Sequence, residues 1–127
     1  MEILGGDNNN IERIIQESVP GKQVTIAHII AAPTEDVYEN LNMESLSVEI
    51  RKTRDAIGIL TLTPCETSII AADIATKAAS IKIAFLDRST GSLIINGDVQ
   101  SIESALIAVT TVLHKDLGFA IVPITRT

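Results

Sequence analysis

The side chains best able to do chemistry stand in one short stretch, FLDRSTGSLIINGDV, from Phe85 to Val99. Asp87 and Arg88 run into Ser89, Thr90 and Gly91, with apolar residues on each side, and Gly97 stands just before Asp98. A carboxylate, a guanidinium and two hydroxyls on one glycine-containing turn have the donors and acceptors to bind a small polar or phosphorylated molecule. The same residues also suit a solvated hairpin turn, since Asp, Ser and Gly each favour turn geometry. Locally the turn is the simpler reading, and Gly97–Asp98 reads as the cap of a following helix. Such a turn becomes functional when symmetry gathers copies of it around an axis.

Three other residues could act. Cys65 follows Thr63 and Pro64 at a predicted helix start, where the positive helix end lowers a thiol pKa. A nucleophile also needs a base and an oxyanion partner, and no motif places either histidine beside it, so a packing or cap-adjacent thiol is the reading taken. His28 alternates with Val24, Ile26 and Ile30, which predicts a satisfied interior or interface histidine on one strand face. His114, next to Lys115, suits the negative end of a helix. Two isolated histidines make no metal site, and no cofactor is expected.

The elements that must position these residues are legible from residue 56 onward. AIGILTLT (56–63) reads as a strand, and Thr63-Pro64-Cys65-Glu66 as a capping box opening a helix that runs to about Ala79. In that helix Ile70, Ala71, Ile74, Ala75 and Ala78 form the predicted apolar stripe, opposite Glu66, Asp73 and Lys77. Strands follow at 81–87 and 92–96. Asp98 then caps a second helix, with Ile102, Ala105, Leu106, Val109, Val112 and Leu113 facing the core and Gly118 ending it. FAIVPIT (119–125) reads as a closing strand.

This order is the split βαβ pattern of an α+β, ferredoxin-like domain, one sheet with helices on one face. Upstream, GGDNNN predicts a flexible tail over residues 1–10. IERIIQES and QVTIAHIIA read as strands around a type II turn at Val19–Lys22, and Pro33–Leu41 as a short helix. The connection 42–55 fits strand, helix and loop alike.

Composition narrows the function. The 127 residues are 46% hydrophobic but only 2% aromatic, so the core must be aliphatic. A net charge of -6 argues against nucleic acid as a partner. An RNA-binding sheet would also need stacking aromatics, which SLIIN and AIGILTLT lack. An acylphosphatase-like site needs an arginine in the loop that here is Thr63-Pro64-Cys65. One cysteine precludes an intramolecular disulfide, and with no apolar run near the ~20 residues of a membrane span and no export signal the expectation is a soluble cytosolic chain.

IERIIQESVPGKQVTIAHIIAAP, DAIGILTLTPCETSIIAADIATKAA and IAFLDRSTGSLIINGDV closely resemble the circularly permuted shell proteins of bacterial microcompartments. These occur in ethanolamine- and propanediol-utilisation organelles, with choline among the other pathways left open. The resemblance runs from Ile11 to Thr127 and departs at the N-terminal tail and at the connection 42–55. It implies a homohexameric tile, without catalysis, in a cytoplasmic compartment shell, alongside other shell proteins and encapsulated enzymes. It implies a tail (1–10), an axial segment (11–22) and a permuted shell domain (23–127).

By the same resemblance, Glu12, Arg13, Ile14, Ile15, Gln16, Glu17 and Ser18 from six copies would form an axial β-barrel that occludes the pore. Asp87, Arg88, Ser89, Thr90 and Gly91 match the turn near the axis, and Lys77 the lysine at the tile edge. The permutation also makes Val24–Ala31 a core strand, more central than 119–125. Two alternatives stay open: a ferredoxin-like regulatory module binding a metabolite at the 87–91 turn of a dimer, and an enzyme using Cys65.

Overall fold

AIGILTLT is apolar on both sides of its pleat, the pattern of a strand covered on both faces. It lies in the middle of the sheet. The computed structural model describes residues 21–40 and 56–127. The expectations for residues 1–10, for Glu12–Ser18 and for the connection 42–55 lie outside the described residues.

The elements are β1 (Gln23–Ile30), α1 (Glu35–Asn40), β2 (Ala56–Thr63), α2 (Thr67–Ala78), β3 (Lys82–Asp87), β4 (Ser92–Gly97), α3 (Val99–Leu117) and β5 (Thr125–Arg126). They form one mixed five-stranded sheet in the order β3-β4-β2-β1-β5. Neighbours are antiparallel except β5, which runs parallel to β1. The N-terminal strand is therefore the more central of the two, as the permuted pattern requires.

The main core lies between the sheet and the two long helices. Leu60, Leu62, Leu93 and Ile95 meet Ala71 and Ala75 of α2 and Ile102, Leu106, Val109 and Leu113 of α3, all fully buried or nearly so. Each such Leu or Ile contributes about 1.5–3 kcal/mol by leaving water. The layers are close: a Cβ on Gly58 would come within 2.8 Å of Ile102 Cγ2 and 2.9 Å of Ile95 Cγ1. The opposite face is not bare, as helices on one face alone would leave it. There α1 lays Tyr38 against Ile57, with Ile30, Val37, Ile59 and Ile94 around them.

The predicted ends of α3 hold. Asp98 Oδ1 accepts the Ser101 amide at 2.8 Å and Oδ2 the Ser101 hydroxyl at 3.0 Å, while Gly118 closes the helix at φ 75°. The capping box at Thr63 does not form. Thr63 is still paired with Gln23 at the end of β2, so α2 begins at Thr67 after a turn in which the Thr67, Ser68 and Ile69 amides reach back three residues. The apolar stripe of α2 is also displaced. Thr67, Ser68, Ala71, Ala72 and Ala75 are buried, while Ile69 and Ile70 stay 46% exposed and Ala78 is exposed. Close contact with α3 and the sheet selects the small side chains, and the isoleucines turn outward.

Two further expectations change at β1 and at the C-terminus. A bulge between Val24 and Ile26, where one extra residue shifts the register against β2, reverses the alternation. Val24, Ala27 and Ile29 are buried, and His28 shares the other face with Ile26 and Ile30 but no longer with Val24. Residues 119–125 do not form a continuous strand. They make a strap that touches the β1 edge at Ala120, opposite Gln23, and again at Thr125 and Arg126, opposite His28 and Ile29. Between those points Val122 and Ile124 turn inward to the core and Pro123, which has no amide to donate, is exposed.

Candidate functional site

The turn after β3 is built by its own polar groups. Asp87 Oδ1 accepts the Ser89 amide at 2.8 Å, the Asp87 carbonyl accepts the Gly91 amide at 2.9 Å, and the Ser92 hydroxyl lies 3.1 Å from that of Thr90. The Ser89 amide, then the Thr90 hydroxyl, hold the Asp87 carboxyl below its ordinary value. Gly91 sits at φ 77°, and its carbonyl accepts the Leu62 amide at 2.8 Å. Arg88, Ser89 and Thr90 are exposed at the tip.

Asp87, Arg88 and Ser89 also line an open cleft of about 450 Å³ with Ile69 of α2 and Leu86 of β3. The cleft belongs to a larger apolar border. Ile83, Phe85 and Leu86 of β3 are 40–45% exposed, on both faces of an edge strand whose outer side no strand among the described residues pairs. Ile69 and Ile70 extend this border onto α2. At the other end of the sheet, Ile26 of β1 and Ile121 of the strap are exposed in the same way. Exposed apolar side chains thus stand at both ends of the sheet, and Ile107 and Leu117 of α3 are exposed as well.

The other candidate residues lie apart from the turn or serve the fold. His28 bridges β1 to the strap, with Nδ1 2.6 Å from Thr125 Oγ1 and Nε2 2.9 Å from Thr127 Oγ1. The His114 Nδ1–H donates to the Phe119 carbonyl at 3.0 Å, at the C-terminal end of α3 as expected. Cys65 is half-buried in the bend between β2 and α2, where its carbonyl accepts the Ser68 hydroxyl at 2.9 Å. Lys77 pairs with Asp73 at 2.9 Å on the exposed side of α2, the i,i+4 pair its spacing predicts. Among the described residues no group of three or more His, Cys, Asp or Glu could hold a metal, and no helix is long and apolar enough to cross a membrane.

Sequence reasoning missed the border residues Ile69, Phe85 and Leu86, because periodicity marks a side chain as apolar without saying whether its own chain covers it. It also missed a buried polar pair. Asn96, 1% exposed, donates to the Ala56 carbonyl at 3.0 Å and to the Tyr38 hydroxyl at 3.3 Å, tying β4, β2 and α1 together; its Oδ1 has no hydrogen-bond partner among the described residues.

A single sheet with two long helices on one face hosts many unrelated functions, so the fold alone does not name a role. The BMC domain family matches residues 56–125, and the chain belongs to that family of bacterial microcompartment shell proteins. It is 53% identical over 116 residues to the bacterial microcompartment shell protein CutR of Streptococcus intermedius, covering 91% of this chain and 93% of CutR. It is 49% identical over 116 residues to the shell protein PduU of Salmonella typhimurium, covering 91% and 94%. A solved CutR flat hexamer superimposes with a TM-score of 0.76 at 52% identity, over 91% of this chain and all of that one. A fused permuted hexameric shell protein from the RMM microcompartment shares the fold at 18% identity and a TM-score of 0.63, over 77% of this chain and 50% of that one.

Proposed function

We propose that six copies of this chain close into a hexameric shell tile without catalytic activity, set in a compartment shell in the cytoplasm. The observation that carries this reading is the exposed apolar surface at both ends of the sheet, different at each end. A patch that matches itself gives a two-fold dimer, whereas two different patches at opposite ends of one sheet join head to tail and generate a ring where the rotation closes, or a helical filament where it does not. Obligate interfaces resemble a core cut in half, and Ile69, Phe85 and Leu86 on one side with Ile26 and Ile121 on the other supply such surface. The CutR flat hexamer supports a sixfold ring.

In this reading Asp87, Arg88, Ser89, Thr90 and Gly91 face the sixfold axis, residues 12–18 form a barrel that plugs it, and Lys77 stands at the edge where tiles meet. Other shell proteins and encapsulated enzymes are the remaining partners. His28 and His114 hold the strap and the end of α3, and neither is in hydrogen-bond contact with Cys65, which supports the structural role over an enzyme built on that thiol. Native mass measurement is the test. A sixfold mass is expected, and a stable monomer or dimer at working concentration overturns the reading.

The cleft beside Asp87 and Leu86 favours a second reading, a regulatory module that binds a small molecule there as a dimer. Saturable, stoichiometric binding to a dimer would decide for it.

A further inference from the structure

If the turn at 87–91 lines the axis, its stiffness decides whether the opening beside it has a fixed width. Hairpin tips are ordinarily among the first parts of a domain to open. This one is tied to the end of the neighbouring strand. The Leu62 amide, one residue before the end of β2, donates to the Gly91 carbonyl, and the Gly91 amide donates to Asp87 within the turn. A Cβ on Gly91 would collide with the Leu62 carbonyl oxygen and come within 3.2 Å of Cys65 Cα. Gly118, at a similar φ of 75°, has nothing within 4 Å of the same position. Glycine at 91 thus serves more than a positive φ: it lets two backbones touch.

We propose that the turn Asp87–Gly91 is a rigid rim locked to the end of β2 and packed against the bend that follows it, with Gly91 as its positioning residue, and is not a movable gate. The proposal rests on the axial reading for the word rim, but the lock itself is a property of each copy. The tip can then vary in chemistry at 88–90 while its position stays set by Gly91, Leu62 and Cys65. A gate would require the Leu62–Gly91 bond to break whenever it opened.

Hydrogen exchange on the full-length protein tests this directly, with native mass recorded on the same sample. The Leu62 and Gly91 amides are expected to exchange at least about a hundredfold more slowly than the Arg88 amide at the exposed tip. A hexamer in which Leu62 exchanges as fast as Arg88 overturns the lock and leaves the hexamer standing. Slow Leu62 exchange in a monomer supports the lock and overturns the hexamer.

Thiol labelling of Cys65 gives a second readout. In Gly91→Asn, whose side chain tolerates positive φ but still carries a Cβ, labelling is expected to rise about tenfold, while in Arg88→Ala it stays at the wild-type rate. Wild-type labelling of Gly91→Asn, in a folded protein, shows that φ alone mattered at 91 and overturns the proposal. Should Gly91→Asn fail to fold, the exchange measurement on the unaltered chain decides.

Discussion

The β1 edge of the sheet is covered by the chain's own C-terminal strap, whereas the β3 edge shows Ile83, Phe85 and Leu86 with no strand of the described residues laid along it. At β1 the cover is secured at both ends. The Val24 amide donates to the Ala120 carbonyl at 2.8 Å and the Ala120 amide to the Lys22 carbonyl at 2.9 Å. Farther along, the Thr127 amide donates to Ile29 and the Ala31 amide to Thr127, each at 2.9 Å, and His28 stands between Thr125 and Thr127. Lys22 adds a bond from Nζ to the Leu117 carbonyl at 3.3 Å and lies 6.0 Å from the centre of the Phe119 ring. An exposed apolar edge is an aggregation hazard that proteins cover or blunt. This chain covers one edge with itself and leaves the other uncovered among the described residues.

If that contrast is right, a charge on the bare edge should do the greatest damage to assembly and little to the fold. Leu86→Glu is expected to convert the hexamer into a folded monomer, an approximately sixfold drop in native mass, since burying an unpaired carboxylate in an apolar seam is strongly unfavourable. A hexamer that survives this change would show that the seam lies elsewhere.

Next in size is the effect of the two left-handed glycines. Gly91→Ala is expected to destabilise the monomer by about 2–4 kcal/mol, from strained φ and a backbone clash, against about 1–2 kcal/mol for Gly118→Ala, where φ is the whole cost. Denaturant unfolding measures both. Equal losses at the two positions would remove the distinction between a packed turn and a free cap.

The strap should respond more mildly. His28→Ala removes two side-chain bonds, so a loss of about 1–2 kcal/mol is expected, with faster amide exchange at Thr127 and unchanged exchange at Leu62. Uniform changes along the sheet would mean that the strap is not a separate unit.

Acid provides a finer probe. Both Asp87 and Asp98 are held below their ordinary values, Asp98 by the Ser101 amide and then its hydroxyl. A depressed folded pKa contributes stability above the unfolded pKa that is lost as pH falls through the folded one, so stability should decline from about pH 4 downward. Asp98→Asn keeps an N-cap acceptor without the charge and should flatten part of that decline. An unchanged acid limb in Asp98→Asn would mean that other carboxylates carry it.

The smallest effect is expected at Lys77→Ala. Its exposed pair with Asp73 contributes only a few tenths of a kcal/mol to the helix, so hexamer stability should hold while the formation of extended sheets weakens. Unaltered sheets, seen by electron microscopy, would remove Lys77 from the tile edge.

Local chemistry made much of the fold legible. Asp98 and Gly118 mark the ends of α3 because a cap depends on residues three or four apart, and β2, β3 and β4 are legible as short apolar, β-branched runs bounded by turn residues. The turn at 87–91 was legible for the same reason. The errors fall where distant parts of the chain set the answer. Thr63 has the type and spacing of an N-cap, but pairing with Gln23 keeps it in the sheet. The isoleucines of α2 are the obvious core residues by hydrophobicity, but the closeness of α3 and the sheet admits Ser68, Ala71, Ala72 and Ala75 in their place.

The sequence by itself determined the order of the elements among the described residues, an aliphatic core and a polar turn between two strands, because propensity, capping and periodicity act over a few residues. Only the tertiary structure decided which face His28 takes, which side chains of α2 reach the surface, and that Gly91 must be glycine for lack of room as well as for φ. Those outcomes depend on a one-residue bulge and on ångström-scale distances between segments far apart in the chain, which no local pattern encodes.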